Sequence, residues 1–125
     1  MEKEFVSYDQ ALALKELGFD ESCFGCYDEK GVFGLTVMSI KQYYINIKED
    51  TWNCSAPLYQ QVFRWFREIH NIDFAVLEKY KDLGKFYGGY VNQNDVRISF
   101  GSDFKTYEEA ENACIDKLIE IIKQK

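Results

Sequence analysis

The stretch Pro57-Leu-Tyr-Gln-Gln-Val-Phe-Arg-Trp-Phe-Arg-Glu-Ile-His-Asn71, running on into Asp73-Phe-Ala-Val-Leu-Glu-Lys-Tyr80, decides the fold. Pro57 stands where a first helical residue is preferred, because its missing N–H is one a helix start leaves unpaired anyway. From Leu58 to His70, Leu58, Tyr59, Val62, Phe63, Trp65, Phe66 and Ile69 share one broad arc of a helical wheel. Gln60, Gln61, Arg64, Arg67 and Glu68 occupy the other. Asn71 can end this helix. Beyond it the apolar spacing shortens, and Asp73–Tyr80, Lys85–Val91 and Val96–Phe100 read as strands. Lys81–Gly84 and Asn92–Asp95 are the turns between them.

Thr106 and Glu109 have capping-box spacing and open a last helix from Tyr107 to about Lys123. Upstream, Ser7 and Gln10 have the same spacing and Gly18 supplies a stop, so Tyr8–Leu17 reads as a short helix. Cys23–Tyr27 and Val32–Val37 flank Asp28-Glu-Lys-Gly31, a four-residue hairpin loop with a glycine available for positive φ. Gln42–Ile47, rich in Tyr and Ile, reads as a third strand, and polar Lys48–Ser55 as a loop. The order is α-β-β-β-α-β-β-β-α. Antiparallel meanders between helices predict one α+β domain over residues 1–125, with the helices packed on the sheet rather than βαβ crossovers.

The chain has 125 residues, a size for one core. Its apolar share of 46 % is too high for a disordered acidic tail, and ten Phe, nine Tyr and two Trp make it aromatic-rich. The net charge of −6 is uneven: −5 over residues 1–57, +1 over 58–105 and −2 over 106–125. No segment is strongly basic, and phosphate neutralisation needs clustered Lys and Arg, so nucleic acid is a disfavoured partner. No uninterrupted apolar run exceeds four residues, and charged Met1–Phe5 has no signal-like apolar region. A cytoplasmic, membrane-free protein with reduced thiols is expected.

Cys23-Phe-Gly-Cys26 has zinc-knuckle or redox-pair spacing. A zinc site would need two further ligands from Cys54, Cys114 or His70, and none of these forms a second short-spaced pair. In a strand, positions 23 and 26 point to opposite faces. A redox pair needs a helix N-terminus after it, where a hairpin turn follows instead. His70, the lone histidine, ends an aromatic helix face. Phosphate loops, nucleophile elbows and paired metal histidines are absent from the sequence. Gly88-Gly89, inside a strand pattern, reads as a bulge or close backbone contact. No catalytic, cofactor or metal residue is therefore expected, and no enzyme.

Three features remain. On the last helix Glu111 lies inside the apolar arc, between Leu118 and Ile122. Its expected place is the exposed first turns, where the helix dipole favours an acid; the alternative is a buried, perturbed carboxyl. Gln60, Arg64, Trp65 and Arg67 form a candidate interaction surface, since guanidiniums beside aromatics grip carboxylates, phosphates or stacked bases. Trp65, at the edge of its arc, can equally cap the core. Tyr87 and Tyr90 extend this surface from an aromatic meander that also holds Tyr80, Phe86 and Phe100. Alternation places Phe86, Gly88 and Tyr90 on one face and Tyr87, Gly89 and Val91 on the other. An exposed face of that kind suits a protein partner, while burial between sheet and helices competes with it.

Three segments, Tyr8–Asp20 running into Cys23-Phe-Gly, Ala56–Glu68 and Lys105–Glu120, together resemble a family of small uncharacterised proteins of phages, prophages and other mobile elements of gut bacteria. The likeness spans nearly the whole chain. It implies a phage-type accessory protein in a bacterial cytoplasm and transfers no functional residue. Members commonly carry Tyr at the position of Cys26, which makes the two-cysteine spacing incidental. The expected function is a non-enzymatic module that binds a host or phage protein. One alternative is an accessory protein that holds single-stranded nucleic acid with Arg64, Arg67, Tyr87 and Tyr90. Another is a small structural-zinc or small-molecule-binding domain.

Overall fold

A computed structural model describes residues 4–21, 23–35, 52–81 and 84–124. The strand expected over Gln42–Ile47, and the end of the one expected over Val32–Val37, lie outside the described residues. The fold is α+β, in the expected order α-β-β-β-α-β-β-β-α. It divides into two compact units, Met1–Leu58 and Tyr59–Lys125.

The first unit opens with helix α1, Tyr8–Glu16. The Ser7 hydroxyl accepts from the Gln10 N–H and the Gln10 side chain from the Ser7 N–H, so the capping box forms as the spacing predicts. At the other end Gly18 takes φ +94°, its N–H bonds to the Lys15 carbonyl, and the Phe19 N–H returns to the Leu14 carbonyl. This Schellman closure buries Phe19 beside Leu14. Strands β1 (Gly25–Asp28), β2 (Phe33–Leu35) and β3 (Trp52–Ala56) form an antiparallel sheet in the order β2-β1-β3. The hairpin between β1 and β2 is held by Asp28, whose Oδ1 accepts from the N–H groups of Lys30 (2.8 Å) and Val32 (2.9 Å). Gly31 sits there at φ +79° against the Tyr8 ring.

Two expectations fail in this unit. Residues 52–55, read as loop, are strand. Asn53, Cys54, Ser55 and Ala56 alternate outward and inward with small residues, a weak period-2 signal that polarity conceals. Pro57 is outside any helix. Its carbonyl accepts from the Val6 N–H (3.0 Å), and Leu58 bridges to Phe5, so the second helix starts two residues later.

The second unit is helix α2 (Tyr59–His70), strands β4 (Asp73–Lys81), β5 (Gly84–Gln93) and β6 (Val96–Phe104), and helix α3 (Tyr107–Lys123). Tyr59, Val62, Phe63, Trp65 and Phe66 turn inward from α2. Ile69, expected on the same arc, is instead 64 % exposed. Asn71 takes a left-handed φ of 55°, and the Ile72 N–H returns to the Phe66 carbonyl, which ends the helix and starts β4. The three strands form an antiparallel meander. Asn94 and Asp95, both at positive φ, make the tight primed turn between β5 and β6. The Thr106 hydroxyl caps α3 by accepting from the Glu109 N–H. The reciprocal half of the expected box is displaced, because the Glu109 carboxylate accepts from Lys105 N–H, one residue before the cap.

Gly88 and Gly89 mark a close backbone passage, as their place in a strand predicts. A Cβ at Gly89 would overlap the Ala75 carbonyl oxygen and the Phe100 ring, and one at Gly88 would lie 2.9 Å from the Gly101 carbonyl oxygen. The register of β5 with β6 shifts on both sides of Gly89. Gly89→Ala is therefore expected to destabilise by about 2–3 kcal/mol. Gly18→Ala meets no atom and only a left-handed φ, and is expected to cost about 1 kcal/mol. Urea midpoints of the two variants check the difference.

Candidate functional site

The candidate surface starts from α2, whose inward stripe fixes what points out. Gln60, Arg64 and Arg67, at helical spacing on the other side, are exposed. Trp65 is not part of that surface. It is only 4 % exposed, its ring edge-on to Phe66 (5.0 Å) and to His70 (4.8 Å). Position 65 lies at the border of the apolar arc, and an indole there gains about 2–3 kcal/mol by turning inward. His70, half-buried between the same rings, belongs to this aromatic cluster.

Tyr87 and Tyr90 stand on opposite faces of β5, as alternation predicts, and both are half-buried. Tyr87 lies edge-on to Tyr107 of α3 at 5.8 Å, with the Lys85 ammonium 5.5 Å from its ring centre. Lys85 also pairs with Glu78 at 2.6 Å, and that partner pushes its pKa up. Tyr90 carries the Arg97 guanidinium over its other face at 4.6 Å. The two tyrosines thus do not form one surface. The four side chains expected to hold a single strand are spread over a helix and both sides of a sheet.

Glu111 departs from its expected place. It is 7 % exposed and accepts a hydrogen bond from Gln60 Nε2 (3.2 Å). Burial raises its pKa, and the neighbouring Glu108 charge adds to the rise. The next residue, Asn112, donates from Nδ2 to the Tyr59 hydroxyl (3.0 Å). These two side-chain bonds give α2 and α3 a polar seam, and burial also raises the Tyr59 phenol. Cys114, on the same helix, is fully buried and its thiol is pushed far up by desolvation.

In the first unit the thiols do not converge. Cys26 lies opposite Ser55 and Gly34, Cys54 opposite Tyr27, so Cys26 and Cys54 project from opposite faces of the sheet. Cys26 Sγ donates to the Gly34 carbonyl (3.5 Å), and burial, with the nearby Cys54 and Cys23, pushes its pKa up to about 11. Desolvation also raises Cys54, against a smaller lowering by Lys15. Among the described residues no three His, Cys, Asp or Glu side chains are grouped to hold a metal ion.

A polar knot in the same unit was not legible. Asn53 Nδ2 donates to the Tyr8 hydroxyl (2.9 Å), which donates to the Glu29 carbonyl (3.3 Å), while Lys15 Nζ donates to the Asn53 carbonyl (2.7 Å). It depends on β3, whose strand character the sequence conceals.

Two outcomes follow from these environments. Charging Glu111 costs more in the folded chain than in the unfolded one. Its contribution to stability is complete below the ordinary carboxylate pKa and is lost as pH rises through the raised folded value. Glu111→Gln keeps an acceptor for Gln60, so it should raise the denaturation midpoint at neutral pH, with the gain vanishing towards pH 4. Pairs of urea titrations across that range measure it. Of the four cysteines, Cys23 is half-buried and the other three are buried. A chromogenic disulfide reagent should titrate one thiol quickly and three only as fast as the chain unfolds. Stopped-flow absorbance counts them.

No family model, curated protein or solved structure matches the chain.

Proposed function

We propose that the chain is a non-enzymatic interaction module of the phage and mobile-element type, working in a bacterial cytoplasm, and that it docks a host or phage protein through the outer row of α2. The observation that carries this reading is the common direction of its perturbed acidic groups. Cys26, Cys54, Cys114, Glu111, Tyr59 and Tyr107 are all pushed by burial toward their protonated forms. A thiol or phenol nucleophile is activated by the opposite shift, or by a partner that takes its proton, and a raised carboxyl works as a general acid or base only where it faces a reacting group. Among the described residues of the second unit Glu111 is the one buried carboxyl, and it faces the Gln60 amide.

Arg64 and Arg67 supply the docking chemistry. They stand out from a helix whose other side is locked by Phe63, Trp65 and Phe66, so their backbone is held in place before a partner arrives. Two guanidiniums three residues apart on a rigid helix suit an acidic protein surface. Net charge −6 favours that partner over a polyphosphate backbone, which needs more clustered cations.

The test is affinity capture from bacterial lysate with the wild type and with Arg64→Glu/Arg67→Glu. Both sites are exposed, and a melting curve verifies that the variant folds. Proteins held by the wild type should be retained at least tenfold less by the variant, and more weakly by either chain as salt rises. Identical capture by both, or capture of nothing, overturns the reading.

A further inference from the structure

We propose that two copies of this chain associate through β4, edge to edge and antiparallel, extending the β4-β5-β6 sheet across a two-fold axis. The two edges of that sheet differ in kind. The β6 edge is distorted: its register with β5 shifts twice, and Gly101 and Asp103 sit at φ +132° and +69°. Bulges of this kind twist a strand away from further pairing and are a common protection of free edges. The β4 edge has no such distortion. It runs nine residues in unbroken register with β5, from Asp73↔Asn92 to Lys81↔Gly84, without a bulge or a proline. Among the described residues no strand pairs with its other side. Leu77, at the middle of it, is 42 % exposed. A long, regular, apolar-centred edge is a template for strand addition.

The edge fits a second copy of itself. Backbone groups of a strand point alternately to either side, so an antiparallel self-pairing has to centre on a residue. Centred on Val76, it sets Asp73 opposite Lys79 of the second copy at both ends, Ala75 opposite Leu77, and one mismatched kind of pair, Phe74 opposite Glu78. Val76 meets its own image at the axis. Opposite charges across a ladder attract and apolar pairs pack. Centring on Glu78 or Lys79 instead puts like charges on the axis. Centring on Leu77 pairs Asp73 with Lys81 but makes two mismatched kinds of pair, Lys79 against Ala75 and Glu78 against Val76. Glu78 is already engaged by Lys85 within its own chain.

The test is sedimentation equilibrium of the full chain from micromolar to near-millimolar concentration, with Asp73→Lys and Lys79→Asp. Both residues are exposed, and circular dichroism verifies that both variants fold. The wild-type mass should rise from one chain to two. Each variant alone sets like charges opposite each other and should dimerise at least tenfold more weakly. Mixed in equal amounts, the two restore both opposite-charge pairs, and the heterodimer should recover wild-type affinity. A wild type that stays a single chain throughout overturns the proposal, including the case in which the edge accepts only a foreign strand. So does a mixture no tighter than its components.

Discussion

Phe63 lies nearly flat on Phe74, ring centres 3.9 Å apart and planes 19° from parallel. The rest of the second unit follows from that contact between α2 and β4. It fixes the rotation of the helix about its axis, since a helix with one ring stacked on a sheet cannot turn without losing the stack. With Phe63 down, Val62 and Phe66 are also down, and Trp65 closes the border over Phe66. Arg64 and Arg67 then face out, while the Gln60 amide turns to Glu111 of α3. The residues that could meet a partner are thus chosen by the packing of residues that meet none.

The same dependence explains what could be read in advance. Helices were legible because apolar periodicity and caps agree: α1 between Ser7 and Gly18, and α3 from Thr106 onward. The second meander was legible because its turn residues, Asn94 and Asp95, are those that tolerate positive φ. What sequence could not give were choices settled only by a neighbour. Trp65 is ambiguous on a wheel and becomes core because His70 and Phe66 border it. Glu111 belongs outside by its charge and is drawn inside because Gln60, fifty-one residues away, offers a donor. Asn53 and Ser55 look like loop residues, and become strand residues because they pair along the side of β1 that β2 leaves open.

Glycine carries the other half of the second unit's geometry. At Gly89 the backbone of β5 passes so close to the Ala75 carbonyl and the Phe100 ring that no side chain fits. The slack appears on β6, where extra residues are accommodated at the register shifts and Gly101 and Asp103 take left-handed conformations. The strand opposite, β4, remains straight because the irregularity has been absorbed elsewhere. An edge protected on one side and regular on the other is thus a consequence of one tight passage in the central strand.

Burial acts on the chemistry as it acts on the shape. A thiol in water is partly ionised near pH 8, and lowering its pKa needs a cation or a helix N-terminus beside it. Of Cys26, Cys54 and Cys114, Cys54 is the one with a cation acting on it, Lys15, and desolvation outweighs it. The Lys15 ammonium donates instead to the Asn53 carbonyl. Glu111 repeats the pattern with an amide in place of a charge. Cys26, Cys54, Cys114 and Glu111 are packed as small or largely neutral groups, whereas Arg64, Arg67 and Lys79 stay at the surface, where water screens them. Under the docking function proposed above, recognition rests on charge placement over a stiff aromatic base, and specificity on which charges that base holds outward.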